Sequence, residues 1–233
     1  MTREEYIKNI LKTYSLVNVL TEKNDCKALR LRHKEVNKDL VLHSFSQPFS
    51  VYEYLCDIKC ENLPEVYDAI NLEDGQIVLE EFVDGMNIAQ IMESGKYRYI
   101  GAKKVLTGVC NGLSILHRAG FVHRDIKPEN VVVDKNGRVV LIDFNASRKM
   151  SIKSHDTVVM GTVGYASPEQ LGISQSDERT DIYALGVLLN VMVTGKHPSD
   201  KLAKWRVGKI VRKCTNVNPN NRYQSVDKFT KAL

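Results

Sequence analysis

The run His123-Arg124-Asp125-Ile126-Lys127-Pro128-Glu129-Asn130, followed a short way on by Asp143-Phe144-Asn145, gathers the groups that a phosphoryl transfer needs. That reaction asks a protein for positioning and charge neutralisation more than for covalent chemistry. One carboxylate can orient a hydroxyl nucleophile. A second carboxylate and a side-chain amide oxygen can hold Mg2+, a hard cation that prefers oxygen ligands. The lysine can balance charge on the transferring group. Chance rarely assembles a pattern of this length.

The chain that must position these groups has 233 residues, enough for one large domain or two small lobes. Hydrophobic residues make up 43% and charged residues 26%, as in an ordinary globular protein. A formal net charge of +5 and an aromatic share of 7%, with no nucleic-acid motif, give no reason to expect a nucleic-acid partner. The charge fits a solvated basic surface or a docking surface for an acidic partner. Five cysteines with no CxxC pair argue against a disulfide framework and for a reducing compartment. Cys56 and Cys60, four apart, read as two buried small hydrophobes on one helix face. No apolar run approaches the ~18 residues of a membrane span, and the first residues lack a signal-peptide core. A cytoplasmic chain is expected, alone or as the cytosolic domain of a longer protein.

Periodicity sets the order of elements. Tyr6, Ile7, Ile10, Leu11 and Tyr14 give residues 1–14 the pattern of an amphipathic helix. Two strands are predicted within 27–45, a helix over Pro48–Ile58, and two more strands near 65–70 and 76–82, turned by Asp74-Gly75. Helices dominate after Asp84-Gly85. Ile100–Ala119 is the clearest, stopped by Gly120. Valine runs flank Asn136-Gly137 as a hairpin, a helix runs from Asp181 to Val193 before Gly195, and the basic tail 201–233 reads as helical. This predicts an α+β chain: a small, mostly antiparallel β-rich lobe over 1–83 and a mostly helical lobe over 84–233, hinged near Glu80–Val83.

The motifs resemble the eukaryotic-type (Hanks-type) Ser/Thr protein kinases, in a compact, bacterial-like version. That family writes its catalytic loop H-R-D-x-x-x-x-N and its metal motif D-F-G. The resemblance implies a two-lobed protein-kinase-like fold and transfer of the ATP γ-phosphate to protein Ser or Thr hydroxyls with Mg2+. Asp125 would be the catalytic base, Lys127 would contact the γ-phosphate, and Asn130 and Asp143 would be the Mg2+ ligands. The third position of the metal motif is Asn145, whose short amide side chain tolerates the left-handed backbone that glycine supplies. ATP would lie between the lobes, with its adenine against the hinge from Glu80 to Phe82, Leu79 as gatekeeper and Val132 beneath the base. Gly161-Thr162-Val163-Gly164-Tyr165-Ala166-Ser167-Pro168-Glu169 resembles the end of an activation segment. Thr162 would bond Lys127 and Asp125. Glu169 would pair with Arg222, and Asp181 would brace the catalytic loop from below. Among Ser151, Ser154 and Thr157, Thr157 is the first choice for a phosphate received by Arg124.

The first lobe departs from the family. No glycine precedes Gly75, so the usual glycine-rich loop over the phosphates is missing. Leu40-Val41-Leu42-His43 aligns with V-A-I-K, which puts His43 at the lysine position. Lys38 and Lys27 are the nearest alternative cations, and the helix glutamate that would pair with such a lysine is replaced by Val51, with Glu53 two residues off. These losses keep a second reading open, a partner-binding pseudokinase, and a third, a small-molecule kinase. Lys201, Lys204, Arg206, Lys209, Arg212 and Lys213 crowd the C-terminal region, as a solvated face or as a surface for an acidic partner.

Overall fold

Strand alternation organises the first part of the chain. The computed structural model describes residues 1–23, 26–95, 97–150, 162, 164–171 and 176–233. Helix α1 (Arg3–Ile10) is opened by a capping box between Thr2 and Glu5. Strands β1 (Tyr14–Lys23), β2 (Cys26–His33) and β3 (Asp39–Phe45), helix α2 (Ser50–Leu55), and strands β4 (Val66–Leu72) and β5 (Gly75–Glu81) follow. The strands form one antiparallel sheet in the order β1-β2-β3-β5-β4. Leu29, Leu31, Leu40, Leu42 and Ile77 bury one face under Tyr6, Ile7, Ile10 and Leu11 of the α1 segment, together with Tyr14 and Leu79. The opposite face carries Val41, His43, Phe45 and Val78, with Phe45 and His43 against Tyr52 of α2.

Three expectations change here. The helix expected over 1–14 ends at Ile10, because Tyr14 already pairs with His33 in β1. Strand β1 lacks clean alternation in its sequence because register shifts fall between Leu16 and Asn18 and between Val19 and Thr21. A bulge breaks the period of two. The helix expected over Pro48–Ile58 shrinks to Ser50–Leu55, so Cys56 and Cys60 share no helix face. Neither is buried: Cys56 is exposed and Cys60 half-buried.

In the second part, β6 (Gly85–Asn87), α3 (Ile88–Glu93), α4 (Tyr99–Arg118) and β7 (Phe121–Val122) lead to a 3-10 turn at Pro128–Asn130. Then come β8 (Val131–Asp134), β9 (Val139–Leu141), β10 (Arg148–Lys149), a second 3-10 turn at Pro168–Leu171, and α5 (Glu178–Thr194), α6 (Trp205–Cys214) and α7 (Val226–Ala232). Strands β6, β8 and β9 form a small sheet, and β7 pairs with β10. The expected apolar stripe of α4, Leu106, Val109, Leu113 and Leu116, is buried. Asp177 caps the start of α5, and Gly195 closes it with a left-handed φ of 70°.

The chain divides into two compact units, Met1–Cys60 with Pro64–Val83, and Asp84–Leu233 with Glu61–Leu63. The three inserted residues belong to the helical unit because the Asn62 amide donates to the Val139 carbonyl at 2.8 Å and its carbonyl accepts from Leu141 N. Burial in this unit pushes the Cys110 thiol up to about 12, which leaves it inert near neutral pH. No helix among the described residues is long and apolar enough to cross a membrane.

Candidate active site

The hydrogen-bond geometry of the helical unit gathers four side chains at one point. Lys127 Nζ donates to Asp125 Oδ2 at 2.7 Å and to Thr162 Oγ1 at 2.9 Å, while the Thr162 hydroxyl donates to Asp125 Oδ1 at 2.7 Å. Asn130 Nδ2 donates to Asp125 Oδ2 at 3.0 Å and to its backbone carbonyl at 2.8 Å. The Asn130 nitrogen is thereby committed, and its amide oxygen is the atom left for a cation. Burial raises the affinity of Asp125 for a proton, but the hydrogen bonds from Lys127 and Thr162 and the lysine charge outweigh it. The carboxyl sits below its ordinary range and is ionised at neutral pH.

A buried carboxylate holds this loop from beneath. Asp181 Oδ2 accepts from His123 N at 2.9 Å and from His117 Nε2 at 2.7 Å, and Oδ1 accepts from Arg124 N at 2.8 Å. Burial alone would protonate Asp181, yet the bonds from His117 and the loop amides keep it ionised, with its pKa lowered. These bonds hold Arg124 in a left-handed conformation, φ 71°, that a non-glycine residue adopts only under outside constraint. Gln170 Nε2 fixes the other side of that peptide by donating to the Arg124 carbonyl at 2.8 Å. His123 packs edge-on against Phe144 and approaches the Ile142 carbonyl through Nε2 at 3.3 Å. Burial lowers its proton affinity.

Asp143 follows Ile142, whose amide donates to the Asn130 carbonyl at 2.9 Å, so backbone ties bring the loop and the second motif together. Asn145 does not use the left-handed backbone that its side chain would tolerate. That conformation falls instead at Asp143, φ 66°, which aspartate also tolerates. A carboxylate and an amide oxygen make a hard donor set that suits Mg2+ and not a soft metal. Among the described residues no group of three His, Cys, Asp or Glu side chains could hold a metal by itself.

Further out, Arg222 pairs with Glu169 through two bonds of 2.6 and 2.8 Å, both side chains buried, and the Thr180 hydroxyl donates to Glu169 at 3.0 Å. Ser151, Ser154 and Thr157, together with Gly161 and Val163, lie outside the described residues. Val132 is buried in β8 between Asn87 and Val140.

The residues expected around the base fall on both faces of the sheet. Leu79 pairs with Leu42 and packs on the α1 side, opposite the face of His43. Glu80 lies in β5, one residue before its end, and its buried side chain meets His43 Nε2 at 2.8 Å. The Phe82 ring is covered by the Arg30 guanidinium at 3.9 Å. Lys27 is held by Glu22, Lys38 lies over the Tyr67 ring, Glu53 bonds Asn71, and Val51 is buried.

Sequence reasoning missed His117, Gln170 and the pairing of Glu80 with His43. The last had a signal: a histidine, His43, directly after the apolar run Leu40–Leu42, and a glutamate pair, Glu80-Glu81, directly after Ile77–Leu79.

The model of the protein kinase domain family matches residues 13–232. The chain is 31% identical over 173 residues to a probable serine/threonine-protein kinase PknB of Lactococcus lactis, which covers 73% of this chain and 27% of that protein. It is 37% identical over 141 residues to serine/threonine-protein kinase PknL of Mycobacterium tuberculosis, 58% of this chain and 35% of that one. A probable serine/threonine-protein kinase PknB of Corynebacterium glutamicum is 36% identical over 126 residues, 52% of this chain and 20% of its own length. The match therefore spans about a fifth to a third of these relatives. With the family model covering nearly every residue, and its two motifs tied to one another by the Asn130–Ile142 bond, the chain belongs to the protein kinase domain family.

Proposed function

We propose that this chain is a Ser/Thr protein kinase that transfers the γ-phosphate of ATP to hydroxyls of protein substrates with the help of Mg2+. The observation that carries the reading is the closed ring of Asp125, Lys127 and Thr162, with Asn130 bonded to the same carboxylate. An ionised Asp125 can accept a hydrogen bond from a substrate hydroxyl, align its oxygen and take up the proton as the new P–O bond forms. Lys127 faces that carboxylate and can place its charge beside the transferring phosphoryl group. Thr162 holds both in register. Mg2+ bound through Asn130 and Asp143 would supply charge neutralisation on the phosphates. The three relatives named above, all serine/threonine-protein kinases or probable ones, favour Ser and Thr as acceptors.

The exposed cations Lys201, Lys204, Arg206, Lys209, Arg212 and Lys213 favour an acidic segment as partner or substrate. Five free thiols favour the cytoplasm.

The test is intact-mass and peptide mass spectrometry after incubation with Mg-ATP and a generic basic or acidic protein acceptor. Phosphate should appear on Ser or Thr with the wild type and be lost with Asp125→Asn, while that variant still unfolds in one cooperative transition. If the wild type transfers no phosphate to any protein, the kinase reading fails and a partner-binding pseudokinase replaces it. Transfer to small metabolites alone would move the chain to another class of kinase.

A further inference from the structure

We propose that Glu80 is a positioning residue that holds His43 as the cationic anchor for nucleotide phosphates, so that the sheet supplies the ion pair by itself. The inference rests on the ATP-dependent reading above. In the family the anchoring lysine of the third strand is aligned by a glutamate on a helix. Here both of those residue types are absent from their places.

The geometry supplies a replacement. His43 Nε2 stands 2.8 Å from Glu80 Oε1, with His43 8% and Glu80 4% exposed. Val41 lies opposite Glu80 and His43 opposite Val78, so the two side chains are diagonal neighbours on one face of adjacent strands. Their surroundings are apolar and aromatic. The Phe45 ring stacks on the imidazole at 5.5 Å and the Tyr52 ring lies at 6.0 Å. Glu80 Oε2 is buried and accepts no hydrogen bond among the described residues. A carboxylate so placed is costly unless a positive charge compensates it, and the imidazolium is the partner within reach.

The other candidates are engaged elsewhere. Arg30 and Arg32 hold Asp39 on the same face, Lys27 holds Glu22, and Lys38 covers Tyr67. Helix α2 offers no carboxylate to the pair, since Glu53 bonds Asn71. A pair built on two laddered strands stays assembled whatever a helix does. Histidine, unlike lysine, changes its charge near neutral pH. The titratable or charged groups on the His43 face of the sheet are Glu80 on β5, Cys26, Arg30 and Arg32 on β2 and Asp39 on its own strand, and α2 adds Tyr52, Glu53 and Tyr54.

The test is calorimetric binding of ATP and of adenosine, each at pH 6 and pH 8.5, with melting curves on every variant. For the wild type, ATP affinity should fall about tenfold between the two pH values, the scale of one charge-assisted hydrogen bond, while adenosine affinity holds. His43→Lys carries a cation that does not titrate between these pH values, so its profile measures the effect of phosphate ionisation alone, and the fall in the wild type is read relative to it. Glu80→Gln should weaken ATP and leave adenosine alone, and His43→Leu should lose the preference for ATP over adenosine. Equal ATP affinity in the wild type and His43→Leu, or the same pH profile for the wild type and His43→Lys, overturns the proposal. If one variant unfolds, the remaining comparison decides. Phosphate transfer with pH-independent ATP binding defeats this inference alone. A pH-dependent ATP site in a chain that transfers no phosphate defeats the kinase reading alone.

Discussion

At the scale of single residues, the ring around Asp125 separates chemistry from support. Thr162 touches both Asp125 and Lys127 and is half-buried, so it contributes alignment more than stability. Thr162→Val removes the two hydrogen bonds that align the charged groups, one from Lys127 and one to Asp125, at a half-buried position where water can replace them. We expect kcat for protein phosphorylation to fall about 10- to 100-fold with the melting temperature nearly unchanged. An unchanged kcat would place Thr162 outside the site. The Glu169–Arg222 pair should behave in the opposite way. Arg222→Ala leaves a buried carboxylate without its cation and should destabilise the helical unit by about 3–5 kcal/mol in urea titrations. The double variant Glu169→Gln, Arg222→Met should cost less than Arg222→Ala alone, because no buried charge remains. A double variant that is the less stable of the two would mean that the pair contributes through its attraction and not through avoided desolvation.

At the scale of elements, the contact between α5 and α6 turns on one glycine. A Cβ built on Gly186 would lie 2.3 Å from Cys214 Cβ, so the Cys214 side chain packs directly on the α5 backbone there. Gly186→Ala must part the two helices or bend one, at roughly 1–3 kcal/mol for an overpacked core. The expected readout is a lower urea midpoint with loss of protection from hydrogen exchange in α5 and α6 first. Protection lost evenly across all helices would show that the contact is not local. Elements of this kind were legible in the sequence wherever their pattern was undisturbed. The three- and four-residue stepping of Leu106, Val109, Leu113 and Leu116, stopped by Gly120, reads directly as α4. Strand β1 was not legible because its register shifts erase alternation in Leu16, Val17, Val19 and Leu20. The catalytic loop was legible because its groups lie within eight consecutive residues and the bonds among them are short-range. Glu80 was not, because its partner is 37 residues away and only strand register shows which face it occupies. His117 was hidden in the same way, 64 residues from Asp181.

At the scale of the whole molecule, charge buried under the catalytic loop ties stability to pH. Asp125, Glu169 and Asp181 all titrate below their ordinary values in the folded chain, because hydrogen bonds and cations overcome burial. Each contributes stability that is present above the ordinary carboxylate range and lost as pH falls through the lowered value. His123 adds an earlier step. Burial lowers its proton affinity, so the unfolded chain binds a proton there near pH 6.5 while the folded chain does not. Stability should therefore hold level from pH 8 to 7, begin to fall below about pH 6.5 as the unfolded imidazole is protonated, and fall faster below about pH 4.5 as the unfolded carboxylates are protonated. The loss belongs to the helical unit, where all four groups reside. Hydrogen exchange of the α4 and α5 amides in urea, at pH 8, 6, 5 and 4 with rates corrected to a common scale, reads it directly. His123→Asn should remove the step between pH 8 and 6 and leave the steeper acid loss in place. Protection that rises on acidification, or an undiminished step in His123→Asn, would show that the buried groups take their protons in the folded state and that the loop is not held by charge.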